Sequence, residues 1–244
     1  MSVGHSIIRG IPLSSAGIQL AGQDSLIMSD ANFSVCAFKL KPGETVHPIS
    51  HHKLGHVYVA VCASGGVALS LDYHMDDSMA LTAGFAVCDC ILRKFTGGPN
   101  GALVVVISFP NDYAKGKIEM PQTMNVRPNP WFLQQLAPNT IVEAALGFHG
   151  PDYTNSAHYQ KTQEEVIFLL SGKARYGRHL LAATEDTCDA IVSPPFVADD
   201  EYTEGEIIQF VIKTPFGGRG DKVIVGSDED LALRASGVRV IEYD

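Results

Sequence analysis

Apolar positions in this chain fall in short runs rather than at helical spacing. Val57–Cys62 and Ala102–Phe109 are apolar on both faces and rich in β-branched residues, and Phe33–Leu40 reads similarly. Runs of this length between turn signals predict buried strands. Ile141–Leu146, Val166–Leu170, Ala190–Ser193 and Ile207–Lys213 continue the theme in the second half. The predicted turns are Lys41-Pro42-Gly43, Ser64-Gly65-Gly66, Gly97-Gly98-Pro99-Asn100-Gly101 and Ser171-Gly172. Helical patterning is confined to Pro130–Leu136 and to Asp228–Ala235. The second has acids in its first turn, Arg234 late and Gly237 as a stop, and a last strand is expected at Val238–Ile241. Many short strands with glycine-rich turns predict a sandwich or barrel.

The pattern occurs twice, about 105 to 109 positions apart. Pro42 opens one copy, which passes through the histidine cluster to His56-Val57-Tyr58-Val59 and Ser64-Gly65. Pro151 opens the other, which passes through His158-Tyr159-Gln160 to Glu165-Val166-Ile167-Phe168 and Ser171-Gly172. Both close on a strand with a proline exit, Val106–Pro110 and Val211–Pro215. So long a repeat marks a duplicated domain rather than a solenoid. The expected division is residues 1–125 and 126–244, with the linker in the proline-bearing stretch 111–130. The N-terminal segment or the C-terminal strand is expected to be free to cross to the other barrel and cover an edge.

Composition narrows the function. With 244 residues, 45% hydrophobic and 18% charged, the chain has ample material for two cores. A net charge of −9 and the absence of any basic run argue against nucleic acid. No stretch of 18 apolar residues or signal-like start is present, so the expectation is a cytoplasmic protein with no membrane partner. The five cysteines have no disulfide-framework spacing. Nor is there a dinucleotide fingerprint, a phosphate loop or a nucleophile elbow. Barrel interiors are therefore where chemistry is expected.

The segment His158–Gly172, with its histidine, its acid Glu165 and the apolar strand ending at glycine, resembles the first motif of the cupin family. Cys188–Asp199 resembles the second. Two such modules resemble a bicupin, which implies an all-β fold of two tandem cupin barrels (the double-stranded β-helix, or jelly roll) and a homodimer. Cupins host enzymes, binders and storage proteins alike, so the resemblance implies little about the reaction.

In metal-binding cupins, two histidines and a glutamate of the first motif and a histidine of the second converge on an ion. Carried over, His158 and Glu165 take two of these positions, Gln160 replaces the second histidine, and Asp199 or Asp200 stands near the last. Imidazole and carboxylate ligands suit Fe, Mn, Ni or Zn. The same residues also suit an ion-free pocket in which Gln160 and Asp199 bind substrate and His158 and Glu165 act as base and acid. In the first copy, the repeat alignment sets His51 against Gln160 and His56 against Glu165. His47 and His52 lie close by as substrate-binding candidates, and Arg93 offers a fork for a carboxylate or phosphate. Cys88 and Cys90, two apart on a strand, are either packing thiols or part of a zinc set with two histidines. His74 and His179 are assigned to exposed loops. The function expected is a small-molecule enzyme acting on an oxygen-rich organic substrate by oxidation, isomerisation or cyclisation, with or without a divalent metal. The alternative is a non-catalytic cupin with degenerate sites, serving ligand binding or a structural role.

Overall fold

The structure is a computed structural model, described for residues 4–13, 18–19, 34–47, 56–70, 78–89, 94–110, 122–128, 131–136, 142–214 and 220–242. The described chain is almost entirely antiparallel β-structure. It forms two compact units, one of residues 12–140 and the other of residues 1–11 with 141–244.

Strand β1 (Ser6–Pro12) belongs with the second of these units. The first unit holds β2 (Ile18–Gln19), β3 (Ser34–Leu40), β4 (Thr45–Val46), β5 (His56–Ser70), β6 (Ser78–Thr82), β7 (Phe85–Asp89), β8 (Lys94–Pro110), β9 (Gln122–Asn125) and a short helix α1 (Leu133–Leu136). Its spine is the long antiparallel pair β5 and β8, flanked by β3, β7 and β9, with β4 and β6 at the sides. The predicted turns at Ser64-Gly65-Gly66 and Gly97–Gly101 lie inside these two strands. They are irregularities in the ladder, between Cys62 and Ser64 and between Gly65 and Val67. Glycine there bends the strand without ending it, as a β-bulge does.

The other unit holds β10 (Glu143–His149), β11 (Thr154–Gln160), β12 (Glu164–Ser171), β13 (Lys173–Tyr176), β14 (His179–Ala182), β15 (Thr187–Ser193), β16 (Asp199–Thr203), β17 (Ile207–Thr214), β18 (Lys222–Ile224) and helix α2 (Asp228–Ala235). One sheet runs β1-β15-β12-β17-β10, the other β14-β13-β16-β11-β18. Ser227 caps α2, its hydroxyl accepting from the Asp230 amide. The expected last strand reduces to a single bridge from Ile241 to Val197.

In both units the central strands are buried on both faces, which is why they read as unbroken apolar runs. Their inner faces differ. In the first unit Phe38, Tyr58, Ala60, Cys62, Phe95, Val104 and Val106 form one apolar cluster. In the second, the equivalent positions are interrupted by Glu165, Gln209 and Lys213, all buried.

Strand β1 is fixed to the second unit by a carboxylate. Asp189 accepts from Arg9 at 2.7 Å and from the amides of Gly10 at 2.9 Å and Ala182 at 3.1 Å. Burial alone would raise its pKa; the amide of Gly10, the Arg9 side chain and the amide of Ala182 together hold it below the ordinary 3.8. A depressed carboxylate stabilises the fold above its unfolded pKa, and that contribution is lost as pH falls through the folded value. Asp189→Asn is therefore expected to cost about 2 kcal/mol at neutral pH, the Arg9 end being exposed. In acid denaturation the variant should also lose less stability below pH ~4 than the wild type.

Candidate functional site

The inner faces of the second unit's two sheets meet in a network of polar side chains. Strand alternation places Glu165 of β12, Ser193 of β15 and Lys213 of β17 on one face, with Glu165 in register with both partners. From the other sheet β11 presents His158 and Gln160, and β16 presents Asp199, Glu201 and Thr203, all buried. Hydrogen bonds cross between the sheets: Ser193 donates to Asp199 at 2.9 Å, and the Gln160 amide donates to Glu165 at 3.4 Å.

Lys213 supplies the interior cation. Its ammonium is 3.2 Å from Glu165, and both side chains are under a tenth exposed. Gln160 and Glu165 are held at either end of a tight connection. Asp221 fastens this connection by accepting from the amides of Thr162 and Gln163 and from the Thr162 hydroxyl at 2.7 Å. His158 is oriented by a 2.9 Å bond from Nδ1 to the Ser156 carbonyl. A carbonyl only accepts, so Nδ1 carries the proton, and in the neutral ring Nε2 is the acceptor. His5, before β1, has a fully buried side chain that places Nε2 3.5 Å from Asp199. Its ring meets His179 edge-on, and His179 is the first residue of β14, half-buried there rather than in an exposed loop.

A second chain of contacts runs through Tyr176. Its hydroxyl is 3.2 Å from Glu201 and touches Gln209 Oε1. The Gln209 amide lies 2.9 Å from His149 Nε2, and the His149 ring stacks on Tyr153 with centroids 4.0 Å apart. Burial lowers the His149 pKa, so a neutral ring accepts from the amide. Glu201 is pushed up to about 7, chiefly by burial, with Glu165 and Asp199 adding repulsion against the bonds from Tyr176 and Gln209. Tyr176 is raised well above 10.0 by burial and then by Glu201. A phenol has one proton, so it cannot donate to Glu201 and Gln209 together. When Glu201 is protonated its own O–H bonds the phenol oxygen, and the phenol donates onward to Gln209.

Gly147 of β10 makes room for this arrangement. A Cβ there would lie 2.6 Å from His149 Nε2 and 3.0 Å from the Gln209 side chain. Gly147→Ala is expected to cost about 1–3 kcal/mol by overpacking, measured by denaturant unfolding. Asp199 also borders a cavity of about 510 Å³ whose other walls include Ala157, Arg175, Arg178 and Glu242.

The structure thus brings His158, Gln160, Glu165 and Asp199 together in one interior. Asp200 points the other way and pairs with Arg175 at 3.6 Å. In the first unit, His51, His52, Arg93, Cys90 and His74 lie outside the described residues. His47 is exposed after β4. His56 is half-buried, with Nδ1 3.2 Å from the Ser108 hydroxyl. The ladder places His56 opposite Pro110 and Tyr58 opposite Ser108. Matching the proline exits, Tyr58 rather than His56 stands where the other unit has Glu165, and Ser108 where it has Lys213. Cys88 is a buried thiol paired with Val59, on the face opposite Tyr58. It packs there, away from the inner cluster.

Sequence reasoning missed Lys213, Glu201, Tyr176, Gln209, His149 and His5. Alternation in Asp199-Asp200-Glu201-Tyr202-Thr203 and in Gln209-Phe210-Val211-Ile212-Lys213 was the available signal for three of them. His5 had none, being a strand away from any motif.

As arranged, these side chains do not fit a divalent ion. Among the described residues no three His, Cys, Asp or Glu side chains are grouped to hold one. The Gln160 amide nitrogen faces Glu165 as a donor, and Lys213 already neutralises that carboxylate.

No family model matches the sequence, and no curated protein matches it. Solved structures do. An oxalate decarboxylase from Bacillus subtilis carrying one tryptophan-to-tyrosine substitution aligns over 98% of this chain and 87% of its own, with TM-score 0.53 and 10% identity. A form of that enzyme with one serine-to-alanine substitution aligns over 98% and 86%, with TM-score 0.54 and 11% identity. Its structure at pH 4.6 aligns over 98% and 85%, with TM-score 0.51 and 10% identity. Another structure of the same protein is titled for its Mn(II) centers. At such identity the likeness is one of architecture, and it establishes an all-β, cupin-like fold for this chain.

Proposed function

We propose that the interior of the second unit is a small-molecule enzyme site that moves a proton to or from an oxygen-rich organic substrate. The supporting observation is Glu201, a buried carboxyl brought to about 7 within a network of opposed charges and hydrogen bonds. Near neutrality such a group can both give and take a proton, which suits general acid–base catalysis. Tyr176 and Gln209 position it; His158 Nε2 is a second acceptor. The Lys213 ammonium, with three donors, suits carbonyl or hydroxyl oxygens. The reaction classes that fit are isomerisation and cyclisation. A second reading, a binding barrel without catalysis, is favoured by one observation: Glu165, Asp199 and Glu201 each already have partners within the protein.

The test is solvent deuterium exchange, followed by NMR, into a panel of small hydroxy, keto and dicarboxylic acids. Acids that carry a C–H next to a carbonyl come first, since only these can show exchange. Exchange that falls about 100-fold or more in Glu201→Gln supports the enzyme. Binding without exchange supports the second reading. Exchange unchanged in Glu201→Gln sinks the assignment of Glu201.

A further inference from the structure

We propose that Lys213 takes the place of a divalent cation in this barrel, so that the interior is complete without a metal. Glu165 is the acid that the cupin resemblance makes a ligand, and Lys213 lies directly opposite it in the β12–β17 register. The ammonium is 3.2 Å from the Glu165 carboxylate, with both groups shielded from water. A buried carboxylate needs a countercharge, and one cation at that distance satisfies it. A divalent ion on Glu165 would sit within a few ångströms of the ammonium and be repelled by it. The other interior acids are also occupied: Asp199 accepts from Ser193 and faces His5, and Glu201 contacts Tyr176. His158 retains Nε2 as an acceptor, because Nδ1 is engaged with Ser156. Take Lys213 away, and Glu165 loses its ion-pair partner while the hydrogen bond from the Gln160 amide remains.

The inference concerns the same interior as the proposed function, but its readouts are metal content and thermal stability rather than turnover. It can therefore fail while proton transfer stands, and the reverse. Untagged full-length protein is dialysed against Mn²⁺ or Zn²⁺ and then against buffer, and bound metal and melting temperature are measured. The ion that counts is one lost on Glu165→Gln. Wild type should hold none, with a melting temperature unmoved by chelator. Lys213→Met should melt lower than wild type, with or without added metal. Glu165→Gln combined with Lys213→Met should melt near wild type and show no metal response. An ion in wild type that disappears with Glu165→Gln would overturn the proposal, even if Lys213→Met does not fold. A Lys213→Met variant that melts with the wild type would overturn it too.

Discussion

Lys213→Met is expected to destabilise the second unit by about 3–5 kcal/mol in metal-free buffer, because it strands Glu165 as a buried, unpaired carboxylate. In a unit of this size the loss lowers its melting temperature by on the order of 10 °C or more. Adding Glu165→Gln to the same chain removes the stranded charge and should return most of the stability, since an ion pair replaced by neutral groups of similar volume is often near neutral. The double-mutant cycle isolates the coupling of the pair. Chemical denaturation with chelator present measures all four proteins. Similar losses for Lys213→Met alone and for the double variant would mean that packing of the lysine stem, not charge, sets its importance.

Gly172→Ala is expected to be severely damaging for a single added methyl, at about 3 kcal/mol or more. Gly172 has φ +85°, in the left-handed region, and a Cβ there would lie 2.4 Å from the backbone carbonyl oxygen of Glu206. Backbone cannot yield as a flexible side-chain end can. The repeat predicts a twin, and Gly65 is one, with φ +70° and a Cβ position 2.1 Å from the Gly101 carbonyl oxygen. Each variant should lower the stability of its own unit, read by hydrogen exchange of that unit's strand amides. Wild-type-like exchange in either would show that the carbonyl of the facing strand can move aside.

Much of the architecture was legible because duplicated apolar runs leave a strong signal. β3, β12 and β17 are each anticipated to within a few residues, whereas for β5 and β8 only the apolar parts are, each strand running eight residues further. What the runs could not show was that Gly65 and Gly97–Gly101 bend strands without terminating them, since a bulge and a turn use the same residues. In the site, His158, Gln160, Glu165 and Asp199 were legible through the cupin resemblance. Lys213 was not. A lysine at a strand end ordinarily marks solvent, and only the β12–β17 register shows it opposite Glu165. The same limit misplaced His56, which sits two positions from the residue that matches Glu165. His5 illustrates non-local assembly: its contact with Asp199 comes from strand addition, which no local pattern encodes.

A raised carboxylate carries a sign opposite to that of Asp189. Below its unfolded value of 4.5 Glu201 is protonated in both states and its contribution to stability is fully present. As pH rises towards the folded value of about 7, the unfolded chain ionises and the folded one does not, so stability falls by on the order of 3 kcal/mol. Glu201→Gln should remove that slope.

The most direct measurement is the titration of the Glu201 carboxyl carbon by NMR in selectively labelled protein, assigned by its absence in Glu201→Gln. A midpoint near 7 is expected for a proton-transfer group enclosed in the second unit. A midpoint near the ordinary 4.5 would mean a solvated, permanently ionised carboxylate, and would contradict the interior chemistry proposed for this barrel.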